Sequence, residues 1–245
     1  MRIEEASAST VADLWLEMEQ RVLAVGFLEE GAQILAAALY GQFEESVVIG
    51  RVFVTVPFGE LPKANEQFVR GLVESVGAPA DLKQTSPVLS LIGTYGQDEE
   101  WRDRRRSKGY VGIPLVSSSF VEAIPMISGL LKELGIPVDR VDSHDSEMIV
   151  NTIGSAAGLF FVENAATATD AQGRNIIAAQ NFVANYDVKS IFGVGGAYPT
   201  GQIGVIVTFC RSQIPRIVAE RFVTLAAFFI SKTAGYVEQG RIFSD

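Results

Sequence analysis

Apolar and polar positions alternate most clearly between Val188 and Phe209, where residues 188–195 and 202–209 read as two strands. Val188, Ser190, Phe192 and Val194 share one face and Lys189 and Ile191 the other; Ile203, Val205, Val207 and Phe209 repeat the alternation. Between them, Tyr198-Pro199-Thr200-Gly201 supplies Pro where φ is already fixed and Gly where a positive φ is tolerated, which predicts a hairpin. Ser212 to Pro215 then gives a start signal for a closing helix over 215–236. In that helix Val218, Phe222, Leu225 and Phe229 recur at a 4-3-4 spacing, close to a coiled-coil seam.

Upstream, Ser9 or Thr10 is placed to cap a helix whose Val11, Leu14, Trp15, Met18, Val22 and Val25 form one apolar side, with Gly26 interrupting it. A second helix is expected over 29–43, with Ile34, Leu35, Ala38 and Leu39 inward. The strand at 47–56 is apolar on both faces apart from Arg51 and Thr55, which predicts a central position, and Pro57-Phe58-Gly59 ends it. Leu61, Phe68, Leu72 and Val76 give a helix within 60–76, and further strands are expected at 87–94, 110–115 and 158–163. Residues 96–109 are so densely charged that an exposed loop is expected. A helix over 120–134 has Pro125 at its true first turn or at a kink, and shorter helices are expected at 146–153 and 176–186.

Helices at both ends of a run of strands predict an α+β fold: N-terminal helices over 1–45, then the strands and remaining helices over 46–245, in one globular unit. With 245 residues, 48% of them hydrophobic and 20% charged, the chain is ample for a sizeable core, and disorder over most of it is excluded. The net charge of −9 opposes nucleic-acid binding, which relies on clustered Lys and Arg. Cys210 is the single cysteine, so no intramolecular disulfide forms, and a reducing, cytoplasmic setting is expected. No export signal is evident at the N-terminus, and the apolar run 222–230 is about half the ~20 residues that span a bilayer, so no membrane partner is expected.

The phrases LFFVEN, YDVKSIFGVGG, YPTG, QIGVIVTF and PRIVAERFVTLAAFFI, spread over about 158–235, resemble a GAF domain, the small-ligand sensor fold related to PAS domains. Ser190 before an apolar strand and Ile203-Gly204-Val205-Ile206 after the turn match that family's pattern. RVFVTVPFGELP together with WRDRRRSKGYVGIPL also looks like the sensor regions found ahead of histidine kinases and nucleotide cyclases. The resemblance implies a mostly antiparallel central sheet of about five to six strands, helices on its faces, and N- and C-terminal helices packed together. It also implies a ligand between the sheet and the loops and short helices that follow the fourth strand. Phe161, Glu163, Asn164, Phe182, Tyr186, Ser190 and Phe192 are the residues placed to supply its walls and anchors, with about half of them expected to be ordinary core because strand residues alternate.

The function this implies is a stand-alone sensory or regulatory domain that binds a small molecule, of unknown identity, and signals through helix packing or an effector protein such as a kinase or cyclase. Val11, Leu14, Met18 and Val22 on one terminal helix and Val218, Phe222, Leu225 and Phe229 on the other supply apolar surface for a homodimer. The alternative is an interaction or assembly module with no physiological ligand. An enzyme is disfavoured, because no nucleophile and base, metal cluster or cofactor loop emerges.

His144, among Asp142, Asp145 and Glu147, has the chemistry of a divalent-metal site or a base, yet its loop placement favours a solvated acidic turn. It is the only histidine and stands far from the expected pocket strands, which limits haem ligation. Cys210 has only Arg211 beside it and reads as a small buried or edge residue; methionine-sulfoxide reduction in GAF enzymes uses several cysteines, and bilin attachment needs a correctly placed one. Gly193-Val194-Gly195-Gly196 lacks the helix and the Lys-Ser or Lys-Thr of a phosphate loop and reads as a strand where a backbone or a ligand approaches closely. Nor is there a copy of the Asn-Lys-Phe-Asp-Glu signature of cyclic-nucleotide GAF domains. Trp101 with Arg102, Arg104, Arg105 and Arg106 fits either an anion or partner site or a loop self-paired with Asp98, Glu99, Glu100 and Asp103, the second being favoured.

Overall fold

A computed structural model describes residues 1–77, 81–136, 138 and 157–244. The helix expected at 146–153 and the acidic turn at His144 lie outside those residues.

Helix α1 spans Ala8–Leu23. Its cap is Ser7 rather than Ser9 or Thr10: Ser7 Oγ accepts from the Thr10 N–H (3.0 Å) and Thr10 Oγ1 accepts from the Ser7 N–H (3.2 Å), a reciprocal box closed by Thr instead of the usual Glu or Gln. Helix α2 covers Leu28–Gln42, strand β1 Val47–Pro57, helix α3 Lys63–Val76, strand β2 Pro87–Gly96 and strand β3 Gly112–Pro114. The helix expected over 120–134 is two, α4 at Ser118–Glu122 and α5 at Pro125–Glu133. Pro125 has no N–H to continue the first and a φ suited to start the second.

Strand β4 is Gly158–Val162, helix α6 Gln180–Asn185, strand β5 Ser190–Ala197 and strand β6 Ile203–Cys210. The closing helix is also divided, into α7 at Arg216–Arg221 and α8 at Val223–Glu238. The joint is Phe222, whose ring is wedged between Phe43 (centroids 5.7 Å apart) and Phe192 (5.1 Å). No breaker residue stands at the joint, where Phe222 keeps αR backbone angles (φ −75°, ψ −11°).

The six strands form one antiparallel sheet in the order β3-β2-β1-β6-β5-β4. The expected α+β fold with a mostly antiparallel sheet and packed terminal helices is thus present, and α1 lies against α8. β1 is central, as its apolar faces predict, and the hairpin β5–β6 closes at Gly201 with φ 95°.

Two cores follow from the period of two along the strands. On one face Val52, Val54, Phe192, Val194 and Ile206 pack under α1, α2, α7 and α8. On the other, Ile49, Phe53, Leu91, Ile191, Val205 and Val207 pack under α5, α6 and their connecting loops. Among the described residues no helix is long and apolar enough to cross a membrane.

Val11, Leu14, Met18 and Val22 of α1, and Val218, Phe222, Leu225 and Phe229 of α7 and α8, all belong to the first core. The seam expected to face a partner is therefore filled from within one chain. What these helices leave exposed is Leu16, Leu23, Ile217 and Phe228.

Residues 96–109 form the largely exposed loop expected of them, with Trp101 and Arg104 as buried exceptions. A short 3-10 turn at Glu99–Arg102 buries Trp101, and Arg104 is buried in an ion pair with Glu29 of α2. Local charge density gave no sign of a carboxylate arriving from 75 positions away.

Candidate ligand-binding site

Arg51 sits two residues after Ile49 and two before Phe53, with Thr94 of β2 and Val207 of β6 beside it in the sheet. Strand alternation sends its side chain into the core under α5 and α6. It is 9% exposed. Among the described residues its guanidinium meets only neutral oxygens: Nη1 donates to the Tyr110 carbonyl (3.1 Å), and Nη2 to the Ser107 hydroxyl (2.7 Å) and the Lys108 carbonyl (2.6 Å). Among the described residues no carboxylate forms an ion pair with it. Burial lowers its pKa to about 10.

Residues 107–110 form a strap over this guanidinium. The strap turns at Gly109, whose φ of 91° suits glycine, and a Cβ there would lie 3.7 Å from Arg51 Nη1.

Beside Arg51 is a cavity of about 300 Å³. Ile49 and Phe209 form its floor, Trp101 and Phe182 one wall, and Ile124 and Ile177 line it from the loops preceding α5 and α6. Phe182 lies edge-on to Trp101 (5.9 Å) and to Phe209 (5.4 Å). Tyr186 backs this wall, 4.7 Å from Trp101 and 5.3 Å from Phe182. Its hydroxyl donates to Asp98, and that bond to a carboxylate raises the Tyr186 pKa. The other cation at the cavity, Lys108, is satisfied outside it by Glu100 at 2.8 Å. A wider depression of about 730 Å³ lies on the far side of the strap, between the start of α3 and residues 104–111. Arg104 and Arg105, which line it, are held by Glu29.

Of the seven residues singled out from sequence, Phe182 lines the cavity and Tyr186 supports it from behind. Phe161 and Phe192 are direct partners across β4 and β5, so they point to the same side, and that side is the opposite core. Ser190 shares it: its hydroxyl donates to the Ser212 carbonyl (2.7 Å) and accepts from the Ile214 N–H (3.3 Å), pinning the chain ahead of α7. Glu163 and Asn164 are exposed, and Asn164 Oδ1 accepts from the Ala166 N–H at 3.1 Å.

Arg51, Ile124, Phe209 and the strap were not foreseen as site residues, and Trp101 was weighed only as part of an anion or partner site with the arginines that follow it. One signal was available in the sequence: Arg51 is a lone cation in a strand otherwise fit for burial on both faces.

The glycine run resolves as strand. A Cβ on Gly195 would fall 2.3 Å from the Gly204 carbonyl oxygen, so the close approach is to the neighbouring backbone. Cys210 is fully buried in the core on the other face, and burial raises its pKa above the ordinary thiol value. Among the described residues no group of three His, Cys, Asp or Glu side chains is placed to hold a metal ion.

No protein-family profile matches this chain, and no curated protein does. Solved structures similar to it include the phycoerythrobilin-bound GAF domain from a cyanobacterial phytochrome, at 10% identity over 96% of this chain and 99% of that one, with a TM-score of 0.46. A bacteriophytochrome from the photosynthetic bacterium R. palustris aligns at 8% identity over 96% of this chain and 40% of its own, with a TM-score of 0.47. The chromophore-binding domain of the Stigmatella aurantiaca bacteriophytochrome aligns at 9% identity over 94% of this chain and 62% of that one, with a TM-score of 0.45. The likeness is one of overall layout, and no residue role is carried across from it.

Proposed function

We propose that this chain is a sensory or regulatory domain that binds a small molecule in the cavity beside Arg51. The observation that carries the reading is the cavity itself, about 300 Å³ set against the central strand. That is the lower end of the roughly 300–1,000 Å³ range of small-ligand sites, which are mostly apolar with a few fixed polar groups. Ile49, Trp101, Ile124, Phe182 and Phe209 are the apolar walls, and Arg51 is the fixed polar group.

The reading assigns this chain recognition rather than chemistry. Its lone thiol lies in the core on the far side of the sheet, so covalent attachment of a ligand in the cavity through Cys210 is not part of the proposal. Output through helix packing is supported by the strap: residues 107–110 clasp Arg51 on one side, and Arg104 and Arg105 grip Glu29 of α2 on the other. A ligand that moves the strap would pull on α2 and, through it, on α1 and α8. An effector protein or a second copy of the chain is the expected receiver, at the surface carrying Leu16 and Phe228.

Native mass spectrometry of the freshly purified full chain tests the reading. A retained small-molecule mass that Phe182→Ala releases is the expected result. A chain that carries no added mass, and that no compound of a fragment library stabilises, would leave the assembly-module reading in its place.

A further inference from the structure

Resting on that reading, we infer that the cavity takes a small monocarboxylate with an aromatic or branched aliphatic body, its carboxylate paired with Arg51. A guanidinium removed from water normally sits opposite an acid, because the desolvation of an uncompensated ion costs several kcal/mol. Here the three partners are two backbone carbonyls and a hydroxyl, all neutral. They use three of the five guanidinium hydrogens, and among the described residues Nε–H and one Nη1 hydrogen have no acceptor. The missing charge and the missing acceptors lie on the same group, and that group borders the cavity.

The rest of the lining narrows the ligand class. Among the described residues no acidic side chain lines the cavity to repel an anion. Beyond Arg51 and Lys108 the walls are aliphatic and aromatic, with Phe182 edge-on to both Trp101 and Phe209, which suits an aromatic or branched apolar body. A phosphate ester would bring a second charge and a third oxygen. Arg51 compensates only one negative charge, and Lys108, the other cation at the cavity, is paired with Glu100 outside it, so the second charge of a phosphate is left unmatched.

The test uses matched pairs on the full-length chain: phenylacetate against phenylacetamide, and isovalerate against isovaleramide, by calorimetry and thermal melting. The acids should bind about tenfold or more tightly than their amides, as expected of a charge-assisted pair in a buried site. Arg51→Gln should abolish that preference, and Arg51→Lys should retain part of it. If Arg51→Gln does not fold, the acid-to-amide ratio on the wild-type chain still decides. Equal affinity for acid and amide would overturn the assignment of charge and leave the cavity standing as a site. Tighter binding of phenyl phosphate than of phenylacetate would overturn the choice of carboxylate. Binding of none of these compounds, from a chain that does retain another small molecule in native mass spectrometry, would overturn the inference alone. Binding of none, with no retained mass, would overturn the functional reading as well.

Discussion

Glu29 of α2 and Arg104 of the Arg-rich loop form an ion pair in which both side chains are only 5% exposed. Glu29 Oε1 also accepts from the Ser244 hydroxyl (2.6 Å), the Ser244 N–H (3.0 Å) and Arg105 (3.2 Å), so one carboxylate ties together α2, the loop and the C-terminal segment. Arg104 adds the ring of Phe243, 4.7 Å from its guanidinium carbon. Burial opposes ionisation of Glu29, but the bonds from Arg104 and Ser244 outweigh it and hold its pKa below the ordinary carboxylate value.

From that shift a pH dependence follows. A carboxyl whose folded pKa is depressed adds stability above its unfolded pKa, about 4.3 for Glu, and loses it as pH falls through the folded value. Glu29→Gln should cost about 3 kcal/mol at neutral pH, the lower end for removing one partner of a buried pair. Urea melts at pH 7 and below pH 4 check this: the gap between wild type and variant should narrow in acid. A gap unchanged with pH would show that the loss is one of packing and not of charge.

Gly109 and Gly71 make an opposed pair of glycine tests. Gly109→Ala puts a side chain at φ 91° in the strap and should destabilise by about 1–3 kcal/mol while weakening whatever binds at Arg51. Gly71 lies within α3, and a Cβ there meets nothing within 4 Å. Gly71→Ala should therefore stabilise by about 0.5–1 kcal/mol and leave binding alone. Chemical denaturation of both variants, with phenylacetate titrations alongside, reads the two signs. A strap that accepts alanine at no cost would mean it is not held in its turn over Arg51.

Much of the architecture was legible because it is written in short periods. Alternation fixed β5 and β6, the two-sided apolar character of 47–57 placed β1 at the centre, and Pro125 marked a helix start that local chemistry dictates. The break at Phe222 was not legible, since no breaker residue marks it and the rings of Phe43 and Phe192 that pack on it come from elsewhere in the chain. The same holds for the site. Alternation showed that Ser190 and Phe192 share a face but not which face carries the cavity. The grip of 107–110 on Arg51 joins positions 56 to 59 residues apart, which no local pattern encodes.

Phe182, expected from sequence to wall a ligand site, lines the cavity and yields a test that separates wall from core. It lies against Trp101, Tyr186 and Phe209 on three sides and faces the cavity on the fourth. Phe182→Ala should cost less stability than the about 3–5 kcal/mol of a Phe lost from full packing, because one side has no protein atoms to lose. Affinity for phenylacetate should fall about 5- to 150-fold, the equivalent of about 1–3 kcal/mol of apolar contact. Thermal melts with and without the acid separate the two effects. Equal losses in the two forms would make Phe182 plain core.

The homodimer proposed for the terminal helices must use what the monomer leaves outside. Phe222 and Phe229 are buried among the first core, so replacing either by Glu should unfold the chain and says nothing about assembly. Leu16 is 64% exposed and Phe228 38%, and Phe228 stacks on Trp15 with centroids 6.1 Å apart where α1 meets α8. Lys232 and Glu19, paired at 2.8 Å, border the same junction and supply a polar rim. Leu16→Glu should therefore convert a dimer to a monomer while the melting temperature of the dilute protein stays nearly unchanged, whereas Phe228→Glu should also cost stability through its lost stacking on Trp15. Light scattering and sedimentation over a dilution series to nanomolar concentration read the outcome. A wild-type chain that is monomeric at every concentration would remove the dimer and leave a partner protein as the receiver of the signal.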